Sequence, residues 1–289
     1  MITSTTLKSA AVGAALLAAS GAAVAADWSD TSISYRYGTR FREPVNNNNI
    51  SKNIVNLTHV SGYKYGTNFF SVDLLMSDNK DPAGAGSTNG AQEAYVVYRN
   101  TFDLAKISGK DLKWGIIRGW GVTAGFDWNT KNDAGYNSKK RMAVLGPTVM
   151  FDTPGFFNLS LLALWESNAP YSTFTPTSST PRYYYKTHPM LTGAWGIPIG
   201  SLPLAYEGFF NIIAPKGRDE FGNSTKTEIN FDSQIMLDAG AVLGGPKGTF
   251  KVGLEYQYWK NKFGNDNSNP FFLGGAKAST PMFRAEYHF

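Results

Sequence analysis

Residues 112 to 129 read LKWGIIRGWGVTAGFDWN, and their period constrains this chain more than any other feature. Leu112, Trp114, Ile116, Trp120, Val122, Ala124, Phe126 and Trp128 take the even positions, interrupted only by Arg118. Lys113, Gly115, Ile117, Gly119, Gly121, Thr123, Gly125, Asp127 and Asn129 take the odd ones. A period of two places alternate side chains on opposite faces of an extended strand. The run is about three times the usual strand length of a soluble domain. The same alternation returns elsewhere. Ile229, Phe231, Ile235, Leu237, Ala239 and Ala241 oppose Glu228, Asn230, Asp232, Gln234 and Asp238. Phe250, Val252, Leu254, Tyr256 and Tyr258 oppose Lys251, Glu255, Gln257 and Trp259, and Ile33, Tyr35, Tyr37 and Phe41 oppose Ser34, Arg36 and Arg40.

Followed along the chain, this period predicts twelve strands, near 28–41, 50–60, 68–77, 91–106, 112–129, 139–151, 156–167, 182–195, 202–214, 227–242, 249–262 and 279–289. Their connections alternate in character. The stretches 108–111, 152–155 and 244–248 are short and turn-like, whereas 77–90, 169–181 and 264–275 are long and polar. Asn46 to Asn49 reads as a short polar loop. The Gly- and Pro-rich stretches fall between strands, so one domain is expected. Short turns on one side and long loops on the other form the pattern of an outer-membrane barrel.

Alternation alone does not say which face meets water. A soluble sandwich buries its apolar face, while a membrane barrel turns it to lipid. Three features favour the barrel. The chain opens with Lys8, an apolar run from Ala10 to Leu17, and small residues ending at Ala23-Val24-Ala25, which reads as a secretory signal peptide spanning 1–25 with cleavage near Ala25/Ala26. The run is too short and too rich in Ala and Gly for a transmembrane anchor. Strand length is the second feature. The third is the placing of aromatics near strand ends, at Trp114, Trp120 and Trp128 and at Tyr206 and Phe210. The expected fold is therefore all-β: a transmembrane antiparallel up-and-down β-barrel of 12 strands over 26–289, integral to a Gram-negative outer membrane and in contact with its lipid.

Composition agrees. The chain has 289 residues, of which 14% are aromatic, and 30 are Gly. Cysteine is absent, so no disulfide holds this exported chain together. The formal net charge is +5, and one of those cations, Lys8, lies in the leader. The charges are scattered, without the concentrated basic face that nucleic-acid binding needs. At the C-terminus, Phe283, Tyr287 and Phe289 alternate with Arg284, Glu286 and His288. The first set is expected to face lipid, on a final strand that pairs with the first and leaves no open edge. A terminal Phe with aromatics at alternate upstream positions also resembles the signal read by the barrel-assembly machinery.

Motifs for catalysis are sparse. His59 and Ser61 share a face and could act as base and nucleophile. The pair resembles the His-x-Ser motif of outer-membrane phospholipase A, although Gly62 stands where that family has Asn, and no orienting third group is identifiable. His188 and His288 lie far apart in sequence, a poor basis for a metal site, and residues 265–269 read as a solvated loop. No enzyme activity, cofactor or metal is expected.

What remains is the interior. The pattern points inward Arg36, Arg40, Asp73, Glu93, Arg99, Asp127, Glu166, Lys186, Glu207, Asp232, Asp238, Glu255, Arg284 and Glu286, with the aromatics Phe69, Tyr95, Tyr184, Phe209 and Trp259. Some of these charges will pair across strands and fill space. Eight strands are just filled by side chains, so twelve leave a narrow passage. Aromatics beside mixed charges suit a flat, polar, largely uncharged solute, since a base stacked on an aromatic face gains roughly 1–3 kcal/mol. Mixed signs argue against strong selection for anions or cations.

The stretches DWSDTSISYRYGTRFREP, THVSGYKYGTNFFSVDLLMSDN, GFDWNTKND and the terminal FRAEYHF together resemble the Tsx nucleoside-channel family, in its outer envelope protein branch, over nearly the whole mature chain. The resemblance implies a monomeric twelve-stranded barrel with a narrow, nucleoside-permeable pore. No nucleoside-contacting residue of that family is carried over. The leading expectation is a passive channel for small polar solutes, nucleosides first. The rivals are a lipid hydrolase using His59 and Ser61, and a closed structural barrel or surface receptor.

Overall fold

The computed structural model describes residues 26–81, 90–173 and 179–289, so the leader expected over 1–25 lies outside the described residues. Twelve long strands form one closed antiparallel sheet. In chain order they are β1 (Trp28–Glu43), β2 (Asn46–Tyr63), β3 (Gly66–Ser77), β4 (Gln92–Asp103), β5 (Ile117–Asn132) and β6 (Lys139–Phe151). The second half holds β7 (Phe156–Asn168), β8 (His188–Pro198), β9 (Leu204–Ile213), β10 (Glu228–Asp238), β11 (Phe250–Lys260) and β12 (Lys277–His288). Each strand pairs with its neighbours in sequence, and β12 closes on β1 with Ile33 opposite Tyr287 and Arg36 opposite Arg284. The backbone N–H of Phe289 donates to Thr31 O at 2.9 Å, so the seam is bonded to the last residue.

Both ends of the described chain lie at one rim, with the connections 64–65, 104–116, 152–155, 199–203 and 239–249. This is the inner rim, because barrels of this kind carry their longer loops outside. The outer rim carries the turn 44–45 and the described parts of 78–91, 133–138, 169–187, 214–227 and 261–276.

The wall alternates as expected. Ile33, Leu57, Leu74, Phe126, Leu145, Leu161, Trp165, Ile235, Leu254, Phe283 and Tyr287 all point outward and stay exposed. On a soluble protein so continuous an apolar surface would be anomalous. On a closed barrel, whose backbone groups are all paired, it is the surface that lipid covers. The molecule is an integral outer-membrane protein.

Several element boundaries differ from expectation. The alternation over 112–116 is not strand. Asp103 accepts hydrogen bonds from the N–H groups of Ala105 and Lys106 and starts a short helix, α1 (Leu104–Ser108), which Gly109 ends at φ 67°. The strand therefore begins only at Ile117, and Trp114 and Ile116 stand exposed below the barrel. Asn46 to Asn49 open β2 instead of forming a loop: Asn46 pairs with Glu43 and donates through Nδ2 to Lys80 O at 2.6 Å. The strand expected over 182–195 is shifted to His188–Pro198, preceded by a two-residue extension at Tyr183–Tyr184 that pairs with Asn168 and Ser167.

Candidate functional site

The interior has a sealed outer half, and below it a packed polar middle that opens at Phe69 and Phe209. At the outer end, Lys52 of β2 donates to Glu43 Oε1 at 2.7 Å and lies 3.7 Å from Glu93 and 4.0 Å from Asp81. Lys131 of β5 grips both oxygens of Asp81, at 2.8 and 2.9 Å. Across the barrel, Glu166 of β7 accepts from Lys140 at 3.1 Å and from Lys216 at 2.7 Å. Lys216 is supplied by the loop 214–227, which turns inward over the mouth. Glu220 anchors that loop by accepting from Tyr136, Tyr185 and Asn168.

A second loop closes the other side. Lys262, just past β11, reaches Glu43 Oε1 at 2.9 Å and stacks its ammonium 4.6 Å from the Trp259 ring. Burial pushes the ammonium groups of Lys216 and Lys262 below the ordinary lysine range, and the facing carboxylates only partly offset it. Phe263 follows at φ 60° and joins the two clusters, with Lys140 Nζ 4.3 Å from its ring and Lys262 Nζ 5.2 Å away. Apolar side chains fill the wall beneath: Phe41, Ile50, Ile54 and Met282 on one side, and Val144, Leu162, Leu164 and Met190 on the other.

Lower down, the charges are again paired, and Arg36, Asp232, Glu255 and Glu286 are as buried as those above. Glu255 accepts from Arg36 at 3.2 Å and from Arg284 at 2.8 Å. Asp73 accepts from Arg36 and, at 2.6 Å, from Asn56 Nδ2. Asp127 accepts from Arg99 and, at 3.2 Å, from the Tyr95 hydroxyl. Gly125 stands opposite Arg99, and a Cβ there would come within 2.8 Å of Arg99 Cδ. Asp232 accepts from Gln257 at 2.9 Å, and Glu286 from Arg284 Nε at 2.5 Å. Hydroxyls of Thr101, Thr123, Thr148 and Ser160 run in a ladder across β4 to β7 at 2.5 to 2.8 Å.

Nearest the inner rim, Glu207 lies 3.8 Å from Lys251. Phe69, close to this rim, and Phe209, at mid-strand opposite Asp232, point inward, and each keeps 37% of its surface exposed. A phenylalanine that faces the lumen and is still solvated marks open space.

Three expected lining residues face elsewhere. Arg40 points outward, because the β1–β2 register shifts between Gly38 and Phe41 and the bulge turns Phe41 in instead. Tyr184 and Lys186 are exposed on the outside. Tyr184 pairs with Ser167 and His188 with Leu164, so four steps on one strand span three on the other. The extra residue flips the face, and Tyr185 is the side chain that turns inward. Trp259 does face inward, but its Nε1 is committed to Glu228 at 2.7 Å, inside the sealed half. Asp238 is taken up by the inner turn, accepting from Ala241 N at 3.0 Å and Gly248 N at 2.7 Å. The pattern missed Glu43, Lys52, Asp81, Lys131, Lys140, Lys216 and Lys262.

His59 and Ser61 lie on the outward face near the inner rim, and His59 Nδ1 is bonded to Thr31 Oγ1 at 2.8 Å. The His ring is thus engaged across β1 and not with Ser61. His288 contacts Asp30 at 2.9 Å and Glu286 at 3.3 Å.

The chain matches no protein-family model and no curated relative. Among solved structures it is similar to a KdgM porin, at 10% identity and TM-score 0.42, over 89% of this chain and 99% of that one. It is also similar to the translocator domain of the autotransporter NalP from Neisseria meningitidis, at 10% identity and TM-score 0.44, over 99% and 97% of the two chains. A third similarity is to Salmonella typhi OmpF in complex with daunomycin, at 8% identity and TM-score 0.35, over 91% and 97%.

Proposed function

We propose that this chain is a passive outer-membrane channel for small polar solutes, nucleosides foremost, and that it acts as a monomer. The observation that carries the reading is the pair of exposed phenylalanines on the lumen face, Phe69 and Phe209, set beside Asp73, Arg99, Glu207 and Lys251. An aromatic face receives a base, and mixed charged groups offer hydrogen bonds to sugar hydroxyls without selecting a net charge. The resemblance to the Tsx family points the same way. All twelve strands come from one chain, so closure needs no second copy. Binding must stay weak enough for release. The outer seal made by Lys216 and Lys262 is a closed conformation of this channel, and solute passage requires those loops to swing out.

Swelling of liposomes that hold the purified barrel tests this. Uridine and adenosine should enter faster than N-acetylglucosamine, an uncharged sugar of comparable mass. Equal rates for all three solutes would remove nucleoside preference, and no swelling at all would remove the channel. The saturated ion pairs of the outer half favour one rival, a permanently closed structural barrel; absence of ionic current under every condition would select it.

A further inference from the structure

Every Asp and Glu of the twelve strands points inward by register, whereas the charged side chains that the strands turn outward are all cations. Apart from Arg118, exposed at the inner end of β5, the outward cations gather at the outer rim. Arg141 of β6 lies opposite Trp128 of β5 on one side and Ser167 of β7 on the other. Arg182, from the loop after β7, donates to Ser167 Oγ at 3.0 Å and to the backbone oxygen of Lys139 at 3.1 Å. Arg141 and Arg182 thus converge on one small patch, and Lys139, two residues from Arg141, shares its outward face. Among the described residues none of the three has a carboxylate within ion-pair distance. Burial and the neighbouring Arg141 push the Arg182 guanidinium below its usual range, as expected for like charges held together.

The height of the patch is fixed by its neighbours. Trp128 and Trp165 are exposed on the outer wall at and just below Arg141. Outward tryptophans mark the boundary between acyl chains and headgroups. Arg141 and Arg182 therefore stand at headgroup depth in the outer leaflet. Farther round the wall, Lys260 and Lys277 face each other directly across β11 and β12, both exposed and at the same rim. Like charges directly opposite on a sheet repel, so two such patches at one height are costly unless an anion lies between the cations.

We propose that the patch formed by Lys139, Arg141 and Arg182 binds the phosphate of an anionic lipid headgroup in the outer leaflet, with Lys260 and Lys277 as a second contact of the same kind. Guanidinium forks match phosphate oxygens in a bidentate way, and the bound phosphate relieves the repulsion within the patch. The site is on the wall and does not depend on what passes through the lumen.

The test is native mass spectrometry of the detergent-purified barrel with a diphosphorylated glucosamine-disaccharide lipid, compared with the same lipid stripped of phosphate. The wild type should retain the phosphorylated lipid at least roughly tenfold better. Each cation removed in Arg141→Gln/Arg182→Gln should lower retention about fivefold, while Arg141→Lys/Arg182→Lys should hold it close to wild type. Heat-modifiable gel mobility confirms that each variant is folded. Equal retention of the stripped lipid, or undiminished retention by the Gln variant, would overturn the proposal. So would displacement of the lipid by inorganic phosphate alone, which would make this a free-anion site.

Discussion

Phe209 and Trp259 have the same standing in the sequence, each an aromatic on the polar face of its strand, and the structure separates them. Trp259 is bonded to Glu228 and covered by Lys262 and Phe263, while Phe209 is half-open to the inner lumen. Phe209→Ala should therefore weaken nucleoside block of ionic current by roughly 5- to 150-fold, and Trp259→Ala should leave the block constant unchanged. Titration of the current with uridine reads both. Glu166 is a different kind of residue, a buried carboxylate that neutralises Lys140 and Lys216 together. Glu166→Gln leaves two buried ammonium groups facing each other and should cost about 3–5 kcal/mol of stability, measured by urea unfolding in lipid vesicles. Which of these charges could be read beforehand depends on where they sit. Lys52, Lys131 and Lys140 share strand parity with inward partners such as Asn56 and Asp127, so period two carries that information. Asp81, Lys216 and Lys262 lie in connections, where no period exists, and only tertiary folding brings them to the lumen.

At the scale of elements, strand number and order follow from alternation, because one continuous apolar face must meet lipid and every backbone group must pair. Boundaries follow from local chemistry that alternation does not see. Asp103 caps a helix, so five residues that alternate perfectly are left outside the sheet. The bulge at Gly38 to Phe41 and the extra residue between Tyr184 and His188 each reverse the facing of what precedes or follows. Those two irregularities account for Arg40, Tyr184 and Lys186. The final strand has no such irregularity. Its Phe283 and Tyr287 lie outward in register with β1, and the terminal Phe289 continues the pairing. If the assembly machinery reads this edge, Phe289→Ala should lower the fraction of heat-modifiable barrel recovered from the outer membrane severalfold. The unassembled chain should accumulate in the periplasm. Unchanged recovery would show that closure with β1 suffices.

On the scale of the whole molecule, the fold is a cylinder with its charges segregated twice over. Carboxylates and their cations line the interior, and unmatched cations ring the outer wall. Along the axis, the inner half is open at Phe69 and Phe209, while two loops close the outer half by laying Lys216 and Lys262 on wall carboxylates. The central claim is that this seal closes a channel and does not complete a solid core. Single-channel current through a planar bilayer tests it most directly, comparing wild type with Lys216→Ala/Lys262→Ala. The account predicts small, flickering conductance for the wild type, a severalfold larger and steadier conductance for the double variant, and block by uridine added on the side of the inner rim. Folded barrels of both proteins that pass no current would contradict it.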